Sequence, residues 1–143
     1  MRRDAAAKNG LRVAIYPHTN CHTDTTDTAL RLAKAAAKPN VGVAFNVCHF
    51  LKQNDEADLE KTPREAAPML TIVSINDADS GDTRKMNWNK LIQPLGEGTF
   101  DNGKLLKLLD KLGYKGPIAL QCYGIKQPAK EHLAQSMKAW KSM

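Results

Sequence analysis

Six polar side chains of this sequence stand where apolar runs stop: His18, Asn46, His49, Asn76, Asp77 and Gln121. His18 follows LRVAIYP, Asn46 and His49 lie at the end of VGVAFNVCHF, Asn76 and Asp77 follow LTIVSI, and Gln121 interrupts IALQCYGI. Together they offer many hydrogen-bond donors and acceptors. His18 and His49 are the proton shuttles of the set, because imidazole is the side chain whose unperturbed pKa lies near neutrality. The reading is His18 as general base, with His49 as its partner or as a substrate contact, and Asn46, Asn76 and Gln121 as substrate-binding amides. For His49 the alternative stays open that it satisfies buried backbone groups at a strand end.

The elements that must position these residues are legible as an alternation. Residues 91–125 hold a loop, a helix and a strand in one piece. Asp101 is a good N-cap, Leu105, Leu106, Leu108, Leu109 and Leu112 form an apolar stripe at helical spacing, and Gly113 sits where a left-handed C-cap belongs. IALQCYGI (118–125) then reads as a buried strand with Gln121 toward its far end, the end at which parallel α/β folds bind ligands. Earlier strands are expected at 11–16, 41–50 and 70–75. Helices are expected at 25–38, capped by Asp24 or Thr25 and stopped by Pro39-Asn40, and from Pro128 to Trp140 with Leu133, Met137 and Trp140 along one face. Asp4–Asn9 with Gly10 reads as the end of a helix whose beginning precedes the chain. Residues 51–69, broken by Pro63 and Pro68, read as a loop with one short helix, and 79–88 as a long polar connection of the kind that rims a site.

This order implies an α/β fold of four parallel βα units joined by right-handed crossovers. An eight-unit TIM barrel needs ~250 residues, so four units in 143 residues read as half of one, with a small free four-stranded parallel sheet as the alternative that the pattern leaves open. One domain is expected over 1–143. No run approaches the ~20 apolar residues of a membrane span, and MRRDAAAKNG lacks the apolar centre of a secretory signal, so a cytoplasmic location is expected. Cys21, Cys48 and Cys122 show no CxxC spacing and are expected as free thiols, with Cys48 and Cys122 as small core residues. The net charge of +6 is carried by dispersed lysines, among them Lys104, Lys107 and Lys111 on one helix and Lys130, Lys138 and Lys141 on another. That is the solvated face of amphipathic helices, not a nucleic-acid groove.

The succession RVAIYPHT, VGVAFNVCH, TIVSINDAD, PLGEGTFD and GYKGPIALQCYG resembles the C-terminal half, units five to eight, of the sugar phosphate isomerase/epimerase superfamily. These are the xylose isomerase-like barrels, which include the family-2 apurinic endonucleases. The resemblance implies a carbohydrate or sugar phosphate as substrate or ligand, and a divalent metal held by four residues at the strand ends. Here those four positions carry Tyr16, Asn46, Ser74 and Gln121. A hard cation prefers carboxylate or imidazole, so no metal ligand is assigned, and a glutamine cannot serve as the family's second carboxylate base. The resemblance thus implies either an isomerase/epimerase-like protein working without the usual metal or a non-catalytic carbohydrate-binding or scaffold protein on the same fold. The endonuclease Asp-Arg-His signature is missing before Gly96, which removes phosphodiester cleavage. Two copies of a half-barrel could pair edge to edge and complete eight strands.

Other residues have a functional reading and a plainer one. Asp77 and Asp79 could form an unconventional metal site with His49, but on the turn NDADSGD they read as turn formers. Glu97, between Gly96 and Gly98, reads as a tight turn, with phosphate contact through backbone amides as the alternative. Trp88 and Tyr123 could stack on a sugar ring, and core packing at the barrel rim is the reading preferred. His22, in a loop, and His132, on a solvent-facing helix, read as ordinary polar residues.

Overall fold

Strand β2 (Val41–Asn46) forms the centre of the core. All six residues of VGVAFN are buried, as a strand covered on both faces requires. The computed structural model describes residues 2–143 and places β2 in parallel register between β1 (Val13–Ile15) and β3 (Leu70–Ile75), which pairs in turn with β4 (Ile118–Leu120). Sheet order is β1-β2-β3-β4, so each strand lies beside its sequence neighbour and every connection is a crossover. These are four parallel βα units, as the alternation of the sequence implies.

Helix α1 (Arg2–Lys8) precedes β1, and α2 (Thr26–Ala36) leads to β2. The Thr25 hydroxyl accepts from the Thr28 N–H at 3.2 Å, and Ala29, Leu30 and Ala33 bury the inner face of α2. Between β2 and β3 run α3 (Val47–Gln53) and α4 (Lys61–Ala66), and between β3 and β4 run α5 (Trp88–Leu91) and α6 (Asn102–Lys111). Asp101 caps α6 by accepting from the Lys104 N–H at 2.8 Å, Leu105, Leu108 and Leu109 are buried, and Gly113 follows at φ +73°, as the local pattern demands. Helix α7 (Ala129–Trp140) closes the chain.

Four expectations need correction. The second strand ends at Asn46 instead of continuing to Phe50, because the Asn46 side chain turns inward to cap α3 and accepts from the His49 N–H at 3.1 Å. Residues 51–69 are mostly helical. Pro63 is tolerated in the first turn of α4, where its missing N–H has no helical partner to lose, and Pro68 lies in a short 3-10 turn at Ala67–Met69. The last strand stops at Leu120, after which the Gln121 N–H donates to the Ile75 carbonyl at 2.8 Å and the chain turns through Gly124 at φ +75°. Finally, His132 does not face solvent: it is 7% exposed. Helix α7 buries His132 and Ser136, whose Oγ accepts from the Leu95 N–H at 3.1 Å, while Leu133 and Met137 remain 48% and 53% exposed. The apolar stripe of α7 lies beside β4, a strand with no further neighbour on its outer edge among the described residues.

Candidate active site

The C-terminal ends of β1, β2 and β4 converge on a polar cleft of about 380 Å³. Its lining is Tyr16, His18, Thr19 and Asn20 after β1, His49 in the first turn of α3, Trp88 and Ile92 around α5, and Gln121 and Tyr123 after β4. No lysine or arginine lies in this lining. A second groove of about 470 Å³, lined by Ile75, Ile118, Leu120, Leu133, Met137 and Trp140 among others, offers no titratable group and so no chemistry.

Within the polar cleft the two imidazoles are adjacent, with ring centroids 4.2 Å apart and planes inclined at 46°. His49 also meets the rings of Tyr16 and Trp88 edge-on, at 5.7 and 5.5 Å. Both histidines reach the same residue. Thr19 directs its backbone N–H and its hydroxyl toward His49 Nδ1, at 3.3 and 3.2 Å, while its carbonyl lies 2.8 Å from His18 Nδ1. Cys21 Sγ stands 3.6 Å from that same nitrogen of His18. Burial, with His18 close by, pushes His49 from the ordinary imidazole value of 6.5 down to about 4, so its ring is neutral at neutral pH.

Behind the histidines lies a chain of neutral groups. Asn46 Oδ1 accepts from the His49 N–H and, at 2.9 Å, from the Cys48 thiol. A backbone N–H can only donate, so the other end of the amide, Nδ2, must face Tyr16, whose hydroxyl it reaches at 2.7 Å. The Gln121 side chain lies near that hydroxyl, and its Oε1 accepts from the Tyr123 N–H at 3.1 Å. Burial and the nearby Cys48 hold the Tyr16 pKa above its usual 10.0, and burial pushes the Cys48 thiol up to about 12. Both groups stay protonated.

The fold therefore brings His18, His49 and Gln121 to the cleft, with Asn46 one layer behind them. Asn76 is not brought there: it is fully buried, and its Nδ2 donates to the carbonyls of Asp77 and Leu91 at 2.8 and 2.6 Å. Asp77 and Asp79 are likewise engaged elsewhere. The Asp77 carboxylate accepts from the backbone N–H groups of Ala78 and Gly96 at 3.0 and 2.7 Å, and those of Glu97 and Gly98 lie close enough to favour its charged form, the Glu97 N–H donating to the Pro94 carbonyl at 3.2 Å. The amides of the Gly96–Gly98 loop thus hold an internal carboxylate instead of a free anion. Burial raises the Asp77 pKa, and these donors oppose the rise. Asp79 pairs with Lys90 at 2.9 Å and accepts from Gln93 at 3.1 Å, which lowers its pKa. Among the described residues, no group of three or more His, Cys, Asp or Glu side chains could hold a metal ion.

Trp88 and Tyr123 are not core residues. At 37% and 79% exposure they present ring surface to the cleft, Trp88 being steadied by Lys52, whose Nζ lies 5.9 Å from its ring and donates to the Arg84 and Met86 carbonyls. Thr19 was missed by sequence reasoning. No local pattern marks it, because its contact with His49 spans 30 residues. The capping role of Asn46 did have a signal, an asparagine three residues before the N–H it satisfies.

Residues 3–143 match the sequence profile of the xylose isomerase-like TIM barrel family. A ketose 3-epimerase of Arthrobacter globiformis is 22% identical over 143 residues, covering 98% of this chain and 44% of its own length. Among solved structures, a 3-keto-D-glucoside 4-epimerase from E. coli superposes with a TM-score of 0.79 at 20% identity, over 99% of this chain and 50% of the other. The IolI protein, determined with a bound zinc atom, gives 0.75 at 19% identity, over 97% and 51%. The chain spans about half the length of each of these relatives.

Proposed function

The chain belongs to the xylose isomerase-like TIM barrel family, and from that membership we propose that it acts on a carbohydrate as an isomerase or epimerase without the usual metal. His18 is the base that moves a proton next to the sugar carbonyl. The observation that carries this reading is the pair of imidazoles 4.2 Å apart in a cleft walled by the exposed rings of Trp88 and Tyr123. Aromatic faces cover the apolar side of a sugar ring, and Gln121 supplies hydrogen bonds for hydroxyls. Two of the named relatives are epimerases, of a ketose and of a 3-keto-D-glucoside, so keto sugars are the first class to test. With no lysine or arginine in the lining and the Gly96–Gly98 amides already holding Asp77, an unphosphorylated sugar fits better than a sugar phosphate.

The residues at the four family metal positions do not fit a divalent cation. Tyr16, Asn46 and Gln121 are neutral, Asn46 being bonded to the Tyr16 hydroxyl, Ser74 is a hydroxyl, and no carboxylate joins them. Every step is therefore assigned to side chains.

Two strand edges, those of β1 and β4, have no partner among the described residues. A second copy of the chain, its β4 beside β1 of the first and its own β1 beside the other β4, would complete eight parallel strands and cover the stripe on α7. Light scattering behind a sizing column tests this: a compact dimer is expected, and a monomer under assay conditions rejects it.

The second functional reading, carbohydrate binding without turnover, is favoured by the same loss of carboxylates. A panel of ketoses and aldoses in deuterated water separates the two. Deuterium at the carbon beside the carbonyl, lost in His18→Ala, is the expected result. Sugar-dependent thermal stabilisation with no deuterium in any sugar gives the binding reading, and neither effect with any sugar refutes both.

A further inference from the structure

We infer that Thr19 holds the two imidazoles of the cleft in opposite tautomers, so that His18 offers a basic nitrogen and His49 an N–H. Which groups can only donate and which can only accept decides this. The Thr19 backbone N–H, 3.3 Å from His49 Nδ1, is a donor, so that nitrogen is an acceptor and the ring proton of neutral His49 sits on Nε2. The Thr19 hydroxyl at 3.2 Å then donates to the same nitrogen. In the other direction the Thr19 carbonyl, 2.8 Å from His18 Nδ1, only accepts, so Nδ1 of His18 carries a proton, and in the neutral ring the lone pair is the one on Nε2. This excludes His18 Nδ1 as a base for Cys21: the 3.6 Å contact is a protonated nitrogen shared with a sulfur. Among the described residues, no protein hydrogen bond engages Nε2 of either ring, and both rings line the cleft.

On the proposed function, from which this use of the pair follows, the tautomers divide the labour. His18 Nε2 takes the proton of the carbon beside the carbonyl, the C–H electrons become the C=C bond of an enediolate, and the carbonyl π electrons move onto oxygen. The His49 Nε2–H stabilises that oxygen by hydrogen bonding and keeps its proton; His18 then returns its proton to the neighbouring carbon, while the hydroxyl proton of that carbon passes to the first oxygen, which leaves the isomerised sugar and both rings as they began. Neutral imidazole so placed supplies the stabilisation of developing negative charge that a metal would otherwise provide. Thr19 touches neither reacting atom and is a positioning residue.

The test is long-range 1H–15N correlation of the histidine rings of the 15N-labelled chain near neutral pH, without sugar. An Nε2–H pattern for His49 and an Nδ1–H pattern for the neutral form of His18 are expected. Thr19→Val, losing the hydroxyl, is expected to give averaged shifts of a mixture at His49, and Thr19→Ser to restore the single pattern. The same tautomer on both rings, or Nδ1–H on His49, overturns the inference. An unchanged His49 signal in Thr19→Val overturns the part given to the hydroxyl. Because no sugar is present, the result is independent of the deuterium experiment.

Discussion

One amide ties together the ends of β1, β2 and the start of α3: Asn46 donates from Nδ2 to the Tyr16 hydroxyl at 2.7 Å and accepts at Oδ1 from the His49 N–H at 3.1 Å. The buried side chain of Asn46 therefore sets where His49 stands in the cleft, although it does not line the cleft itself.

Removing that link should be measurable as stability. Tyr16→Phe leaves the Asn46 Nδ2 without this partner and is expected to cost about 1–2 kcal/mol, whereas Asn46→Leu also uncaps α3 and should cost about 2–4 kcal/mol. Urea unfolding with unchanged m-values reads both. Equal losses in the two variants would show that the cap contributes nothing.

The neutral state of His49 predicts a dependence on acid. Its folded pKa of about 4 lies below the 6.5 of the unfolded chain, so as pH falls the unfolded state takes up the proton first. Stability should begin to decline as pH drops through about 6.5 and should finish losing this contribution near 4, in total about 3 kcal/mol. Comparing wild type with His49→Gln over that window isolates the effect from the carboxylates. A constant difference between the two curves refutes it.

The loop held by Asp77 predicts intolerance of small changes. A β-carbon at Gly98 would collide with the Ala78 carbonyl, which accepts from the N–H groups of Thr99 and Phe100 at 2.9 Å. Gly98→Ala should cost about 2–4 kcal/mol, and Asp77→Asn, which turns an acceptor toward backbone donors into an amide, about 2–3 kcal/mol. Thermal unfolding within about 0.5 kcal/mol of wild type would contradict both.

Thiol reactivity should separate the cysteines. Cys21 is exposed, while Cys48 is buried, bonded to Asn46 and held protonated by a pKa of about 12. Under native conditions maleimide should modify Cys21 first and reach Cys48 only after unfolding, as peptide mass mapping would show. Early labelling of Cys48 argues against the packing of α3 on β2.

Metal dependence gives a further check. Chelators should leave the melting temperature and any sugar response unchanged, and Mn2+ or Zn2+ should not stabilise the wild type. The double variant Asn46→Asp, Gln121→Glu places two carboxylates at family metal positions and is expected to gain a Mn2+-dependent shift. Stoichiometric stabilisation of the wild type by either ion would sink the metal-independent reading.

Local patterns were enough for the four βα units, because burial on both strand faces and on one helix face writes its period directly into the chain. Val41–Asn46, the leucines of α6 and the caps at Thr25 and Asp101 are of this kind, their hydrogen bonds closing within a few residues. The polar strand ends also pointed to His18, His49 and Gln121, since parallel strands present their C-terminal ends on one side. Tertiary structure alone decided the rest. That Thr19 meets His49 and that Asn46 meets Tyr16 depends on pairings 30 residues apart, which no local spacing encodes. Asn76 looked equivalent to Asn46, yet the chain after β3 turns its amide onto the Leu91 carbonyl at the end of α5. Helix α7 buries His132 and Ser136 in place of its apolar stripe because, among the described residues, the last strand of the sheet has no outer neighbour for that stripe to pack against.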